Sequence, residues 1–211
     1  MRVMCLGRII RIDRMSRWEP DARGRLLRAA IELFSERGYE ATTAAHIAAH
    51  AGLTKTTLFR HFSDKREILF QGQDILVAGL NAGVAAAPAE ASPTELMRAG
   101  IASLCAAHSE DLRDVGRLLD PLLADTPELQ ERATFKRSAI TEALRNALCF
   151  REVEIRQAGL LADVGVRAYY EGYAAWMIAD DTRALIESVD EELTAYNVAL
   201  RQLANDAARV R

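Results

Sequence analysis

Along residues 21–37 the apolar positions fall in pairs, Leu26/Leu27, Ala30/Ile31 and Leu33/Phe34, at the three-to-four spacing that turns one face of a helix toward a core. Gly38 follows at once, the residue type that takes the left-handed conformation just past a helix end. Thr42 or Thr43 then offers a hydroxyl cap to a short helix over residues 44–51 with Ile47, Ala48 and Ala51 inward. Gly52 closes it, and Thr54 caps a second short helix over 55–62. Ser63 or Asp64 is expected to cap a fourth that runs on through Leu69, Leu76 and Leu80 toward residue 87. Beyond Pro88 and Ser92-Pro93 the pattern predicts helices at about 93–108, 111–123, 127–150, 160–179 and 186–208. The expected fold is all-α.

Two helices of about eight residues separated by Ala51-Gly52-Leu53 leave room for little besides a helix-turn-helix. Steeply crossed helices need a small residue at the contact, which Ala48 supplies, and a reversal within three residues needs the conformational freedom of Gly52. Ile47, Leu53, Leu58 and Phe62 would plug the angle, leaving Lys55, Thr56, Phe59 and Arg60 free to enter a groove. An αα-corner inside a bundle, with no nucleic acid involved, is the alternative reading.

Composition agrees with helices, since 5 prolines and 12 glycines interrupt 211 residues dominated by strong helix formers. The net charge of −3 argues against a nucleic-acid partner until it is divided along the chain. Residues 1–66 hold 13 Lys/Arg against 7 Asp/Glu, and residues 67–211 hold 14 against 23, which gives +6 and −9. A basic third joined to an acidic remainder suits a nucleic-acid module with a separate body. Three organisation segments follow: a basic arm over 1–20, a helix-turn-helix domain over 21–66 and a helical domain over 67–211. Arg8, Arg11, Arg14 and Arg17 of the arm would either lie in a minor groove or stay unstructured, and Met15-Ser16-Arg17 reads as an alternative translation start. Cys5, Cys105 and Cys149 lack CxxC spacing, so neither a zinc site nor a disulfide framework is expected and the compartment reads as cytoplasmic. No stretch reads as a membrane span.

The residues Gly24 to Ala30, Leu33 to Thr43, Ile47-Ala48, Ala51 to Thr54 and Leu58 to Lys65 together resemble the DNA-binding domain of TetR-type transcriptional regulators. The resemblance covers roughly residues 24–69. It implies a homodimeric, ligand-responsive regulator, most often a repressor, docking one three-helix domain per subunit on a half-site of a pseudo-palindromic operator. Position by position, it implies that Thr43 meets a phosphate. Thr54, Lys55, Thr56 and Thr57 would open the recognition helix in the major groove, with Phe59 and Arg60 on the same face, while His61 and Lys65 hold phosphates. The family usually has tyrosine where Phe59 stands and commonly glycine at Thr56, which alters the base preferences to be expected.

Farther on, Gly165, Ala168, Gly172, Ala175 and Ala179 step by three and four along one small-residue stripe. Large residues do the same on the last helix, through Ile186, Val189, Leu193, Tyr196, Leu200 and Leu203. Paired across a twofold axis these stripes would make the dimer interface that the resemblance implies; the alternative is that one faces its own subunit's core. Tyr169, Tyr170, Tyr173, Trp176 and Met177, with Met97, Leu104, His108 and Phe135, are candidates to line an effector cavity, or else fill an ordinary core.

His46 and His50 have the spacing of a metal pair but lack an intervening glutamate and a third ligand, so no metal or other cofactor is expected. Cys105 and His108 read as a core thiol and a pocket residue rather than a nucleophile and its base, and no phosphate-binding glycine loop or GxSxG elbow occurs. The function expected is that of a DNA-binding regulator released by an unidentified small molecule, with no enzyme activity and no membrane partner. A helical homodimeric binding protein that no longer reads DNA is the runner-up.

Overall fold

The computed structural model describes residues 22–209, the side chain of residue 111 aside. Every regular element among them is a helix, and the chain divides into two compact units that meet in sequence at Leu69 and Phe70.

The first unit holds α1 (Ala22–Arg37), α2 (Ala44–His50) and α3 (Lys55–His61). Leu26, Leu33, Phe34, Ile47 and Leu58 form its dry centre, the periodic positions of the sequence. Gly38 and Gly52 end α1 and α2 with φ of +82° and +65°, the left-handed region in which a Cβ would be strained. Arg25 reinforces the second of these turns by donating to the carbonyls of Ala51 and Gly52. Thr42 is wholly buried, and its hydroxyl is spent on the Leu33 and Gly38 carbonyls. Thr43 is therefore the cap of α2: its hydroxyl accepts from the His46 amide at 3.2 Å, and His46 Nδ1 accepts in return from the Thr43 amide.

Residues 63–72 differ from expectation. Instead of opening a long helix, they form consecutive turns, and helix α4 (Gln73–Ala86) begins only after Gly72, itself left-handed at φ +84°. Asp64 Oδ1 accepts from the amides of Arg66 and Glu67 at 2.8 and 3.0 Å, a local turn that competes with helix, while Ile68 is drawn into the core. The continuous helix expected from about residue 63 to 87 is thus two separate pieces.

The second unit comprises α4, α5 (Pro93–Ala106), α6 (Glu110–Asp125), α7 (Pro127–Phe150), α8 (Ile155–Ile178) and α9 (Leu185–Arg209). Ser92 and Glu95 form a capping box ahead of α5 with Pro93 in its first turn, and Glu154 caps α8 by accepting from the Arg156 and Gln157 amides. Arg151 closes the far end of α4, donating to the carbonyls of Val84, Ala87 and Pro88, where a cation also meets the negative end of the helix. Leu80, Ile101, Leu104, Ile140, Leu144, Leu148, Val166 and Val189 fill the centre. Helix α6 is the exception to this dense packing: none of Leu112, Val115, Leu119, Leu122 and Leu123 on its apolar face is fully buried. Arg113 and Arg117 tie α6 down instead, donating to the Met177, Ala179 and Asp181 carbonyls at and beyond the end of α8.

Candidate nucleic-acid interface and effector site

Helix α3 presents Lys55, Thr56, Phe59 and Arg60 outward, all exposed, while Leu58 alone is its fully buried residue. The helix is seven residues long, too short to persist in water alone, and its start is fixed by Thr54, whose hydroxyl accepts from the Thr57 amide at 3.1 Å. The Thr54 and Thr57 hydroxyls also bond each other at 2.9 Å, so both are occupied in setting the helix. Lys55 lies 5.6 Å over the Phe59 ring, which is 44% exposed, and the aromatic face thereby holds the ammonium on the outer surface.

The other expected nucleic-acid contacts are placed differently. Thr43 is exposed at the start of α2, its hydroxyl engaged by His46. His61 is half-buried with Nε2 covered and unpaired, so that nitrogen does not face outward. Lys65 departs most: its ammonium donates to the Tyr39 and Thr42 carbonyls at 2.7 and 3.0 Å and sits 3.9 Å from the Tyr39 ring centroid. A lysine so fully engaged stitches residues 39–42 to the turn at 63–72, and it is not the free phosphate ligand expected. His46 and His50 part company as well, the first in the α2 capping box and the second paired with Glu32 at 2.7 Å. The basic arm, with Arg8, Arg11, Arg14 and Arg17, lies outside the described residues.

In the second unit His108, Tyr169, Tyr170, Tyr173 and Trp176 form one chain of ring contacts, with centroids 5.1 to 6.3 Å apart. The carbonyl of Leu104 can only accept, so it fixes the imidazole with Nδ1–H toward it at 2.9 Å; Nε2 is then free to accept from the Tyr169 hydroxyl at 3.2 Å. Burial holds the His108 pKa below its usual value, the Leu104 bond opposing, so the ring is neutral. Burial likewise raises the Tyr169 and Tyr173 hydroxyls above the usual tyrosine range and pushes Tyr170 up to about 12 and Cys105 to about 12, which keeps all four protonated. Met177 joins the cluster through Gly116 of α6, where an added Cβ would lie 2.8 Å from its sulfur and would strike the Tyr173 hydroxyl.

Met97 and Leu104 are core residues and not lining: Met97 packs on Gly165, and Leu104 is wholly buried. Phe135 is 65% exposed with the Arg132 guanidinium 5.5 Å over its ring, away from the cluster. Two members of the neighbourhood were not anticipated, Gly116 and Arg113, whose guanidinium lies 4.9 Å over Trp176; the half-buried Lys136 on α7 acts on His108 through its charge. Their sequence signal is an ordinary amphipathic pattern, which does not distinguish a buried cation from a solvated one. Elsewhere a shallow recess of about 510 Å³ opens between α4 and α5, walled by Gly83, Ala86, Ala87, Pro88, Ala91, Ala99 and Ser103 with Glu90 and Glu95. Glu95 is spent on the α5 capping box.

The small-residue stripe of α8 is used inside the chain. A Cβ at Gly165 would come 2.8 Å from Met97 Sδ on α5, one at Gly172 would come 2.8 Å from the Val189 backbone on α9, and Ala168 is wholly buried. Val189 and Leu193 face the same core. Gly165, Ala168, Gly172 and Leu193 are therefore not available to a partner, because the close approach that small residues permit is made by α5 and α9 of the same chain. What remains exposed is Leu160, Ala175 and Ile178 of α8, with Leu200 and Leu203 on one face of α9 and Val198, two residues from Leu200, on another. Ala179 and Tyr196 are half-buried, and the Tyr196 hydroxyl donates to Glu171, itself paired with Arg167 at 3.0 Å.

Residues 26–71 match the family model for bacterial regulatory proteins of the tetR family. Over 64 residues the chain is 44% identical to the HTH-type transcriptional activator FasR of Mycolicibacterium smegmatis, covering 28% of this chain and 29% of that protein. Over 58 residues it is 40% identical to the HTH-type transcriptional repressor KstR2 of Mycobacterium tuberculosis, again 28% and 29%. The match thus spans less than a third of these relatives' length. The fold is similar to that of Thermus thermophilus FadR, a TetR family transcriptional repressor solved in complex with lauroyl-CoA, with TM-score 0.51 and 25% identity over 82% of this chain and 91% of that one.

Proposed function

We propose that this chain, which belongs through residues 26–71 to the tetR family of bacterial regulators, acts as a homodimeric repressor of its target genes, released from its operator by an amphipathic small molecule. The observation that carries the reading is the outer face of α3. Lys55, Thr56, Phe59 and Arg60 stand exposed on a helix whose own start is satisfied by Thr54 and Thr57, and the Lys55–Phe59 stacking lies on that same outer face, so none of the four is needed to cap the helix or fill the core. A short helix held this way by its cap and one buried leucine is suited to docking in a major groove.

Dimer formation is supported by the large apolar residues exposed on α8 and α9, Leu160, Ile178, Leu200 and Leu203, the last of them 67% exposed. The Thermus thermophilus neighbour holds an acyl thioester, which supports an amphipathic effector here too. Repression would be relieved by linkage: an effector that binds better to the conformation less suited to two successive grooves lowers operator affinity by the same coupling free energy. All of this chemistry suits the cytoplasm, and no helix among the described residues is long and apolar enough to cross a membrane.

Fluorescence anisotropy on DNA from the gene's own upstream region decides the matter. Binding at least about a thousandfold tighter than to scrambled DNA, weakening steeply with salt, is expected. The pair Leu200→Glu with Leu203→Glu should sediment as a monomer and lose that binding. Equal weak binding to both DNAs would favour a helical binding protein that does not read sequence, and a dimer unchanged by the glutamates would remove the α8–α9 interface.

A further inference from the structure

One face of α8 is used neither for the core nor for plain solvation. Gly165 and Gly172 turn toward α5 and α9 of the same chain, and on the other side of the helix stand Leu160, Val164, Arg167, Glu171, Ala174 and Ile178. With 3.6 residues per turn, these six fall within an arc of about 80°. All are exposed except Val164, which is half-buried. Their spacing alternates between four and three, that of the a and d positions with which one helix meets another.

The stripe is also its own complement when read backwards. About residue 169 as midpoint, Leu160 mirrors Ile178, Val164 mirrors Ala174, and Arg167 mirrors Glu171. A twofold axis at that midpoint lays the helix antiparallel on its copy, with apolar residues together toward both ends and opposite charges together in the middle. A parallel pairing would instead set arginine against arginine and glutamate against glutamate. The two charges are held in place: Arg167 Nε lies 3.0 Å from Glu171, the Tyr196 hydroxyl of α9 donates to Glu171, and the Tyr196 ring stands 5.8 Å from the guanidinium. An exposed ion pair gains its own chain little, so a tyrosine committed to ordering one suits a charge pair with work to do on a partner. The end of α9 agrees, since every residue from Asn197 to Arg209 is exposed and its own chain covers no face of that stretch.

We infer that α8 recognises a second copy of this chain through an antiparallel seam over residues 160–178, in which Arg167 meets the partner's Glu171 and Glu171 the partner's Arg167. The charge pair sets the register and rejects helices that lack the mirrored order. The inference rests on the homodimer reading above and states how the two copies align.

Cysteine pairing tests the register in a chain carrying Cys5→Ser and Cys149→Ser. Val164→Cys together with Ala174→Cys should give a covalent dimer on mild oxidation, while either substitution alone should not, because like positions stand about 15 Å apart along the seam. Charge exchange tests the selectivity. Arg167→Glu and Glu171→Arg should each weaken self-association at least about a hundredfold in sedimentation. Coexpressed with different tags, those two variants should purify as a mixed dimer, and the double exchange in one chain should restore the homodimer. A covalent dimer from either single cysteine, no covalent dimer from the pair while the chain still sediments as a dimer, or charge variants that self-associate like the native chain would each overturn the seam and leave the homodimer standing. A native chain that sediments as a monomer would remove both.

Discussion

Lys65 in the first unit and Lys136 in the second are both half-buried lysines, and they end in opposite circumstances. Around Lys65 two backbone carbonyls and a ring face receive the ammonium, so the charge is part of the wall. Around Lys136 the like charge of Arg132 acts on the ammonium, and no hydrogen bond or ion pair of the kind that holds Lys65 is formed by it among the described residues. Burial alone therefore does not say what a cation is for. The partners decide, because a desolvated charge that is paired holds structure together, whereas one left unpaired costs stability until a ligand supplies the missing half.

One substitution applied at both sites should separate them. Lys65→Met removes two charge-assisted hydrogen bonds and leaves two carbonyls unmet, so the protein should lose about 2–3 kcal/mol in denaturant unfolding; a change under about 0.5 kcal/mol would show the lysine to be free after all. Lys136→Met keeps the length and apolar stem and removes only the desolvated charge. It should raise stability by about 1 kcal/mol near neutral pH. That gain carries a pH signature. With its folded pKa below the ordinary lysine value of about 10.5, Lys136 penalises the native state while both states are protonated, and the penalty disappears as pH rises through that window. The variant's advantage should therefore shrink toward alkaline pH, and melting curves at pH 7 and above pH 10 would show it; an advantage independent of pH would contradict the assignment. The smallest effect belongs to His108. Because its folded pKa lies below 6.5, the unfolded chain takes up a proton first as pH falls past that value, and stability declines there. His108→Gln should flatten the slope of melting temperature between pH 7 and 5, and an unchanged slope would place the acid sensitivity elsewhere.

What could be read from sequence was whatever chemistry is local. Gly38 and Gly52 had to be left-handed because the chain turns there within three residues, and Thr43 and Thr54 had to cap because helix starts leave amides unmet; each is where expected. The helix boundaries beyond residue 90 lie close to their predicted places for the same reason, although α8 starts at Ile155 and not at 160. Nonlocal choices were not legible. A stripe such as Gly165, Ala168 and Gly172 announces a close helix approach, but it does not say whether the approaching helix belongs to the same chain. Residues 63–72 look helical by periodicity, yet Asp64 captures two amides and Lys65 is pulled to carbonyls 23 and 26 residues back in the chain. In the second unit the aromatic members were visible by composition, whereas the half-burial of Lys136 was hidden, since one charge on a long amphipathic helix is indistinguishable in sequence from its solvated neighbours.

Trp176 ends that aromatic chain, 5.8 Å from Tyr173, with its indole N–H donating to the Arg183 carbonyl at 3.0 Å and the Arg113 guanidinium over its face. A fluorophore is thus anchored at one edge to the loop beyond α8 and covered on its face by α6. Movement of Arg113 off the indole face would change the polarity above the ring, so the emission colour of Trp176, read with Trp18 replaced by phenylalanine, would record how α6 rests on the end of α8.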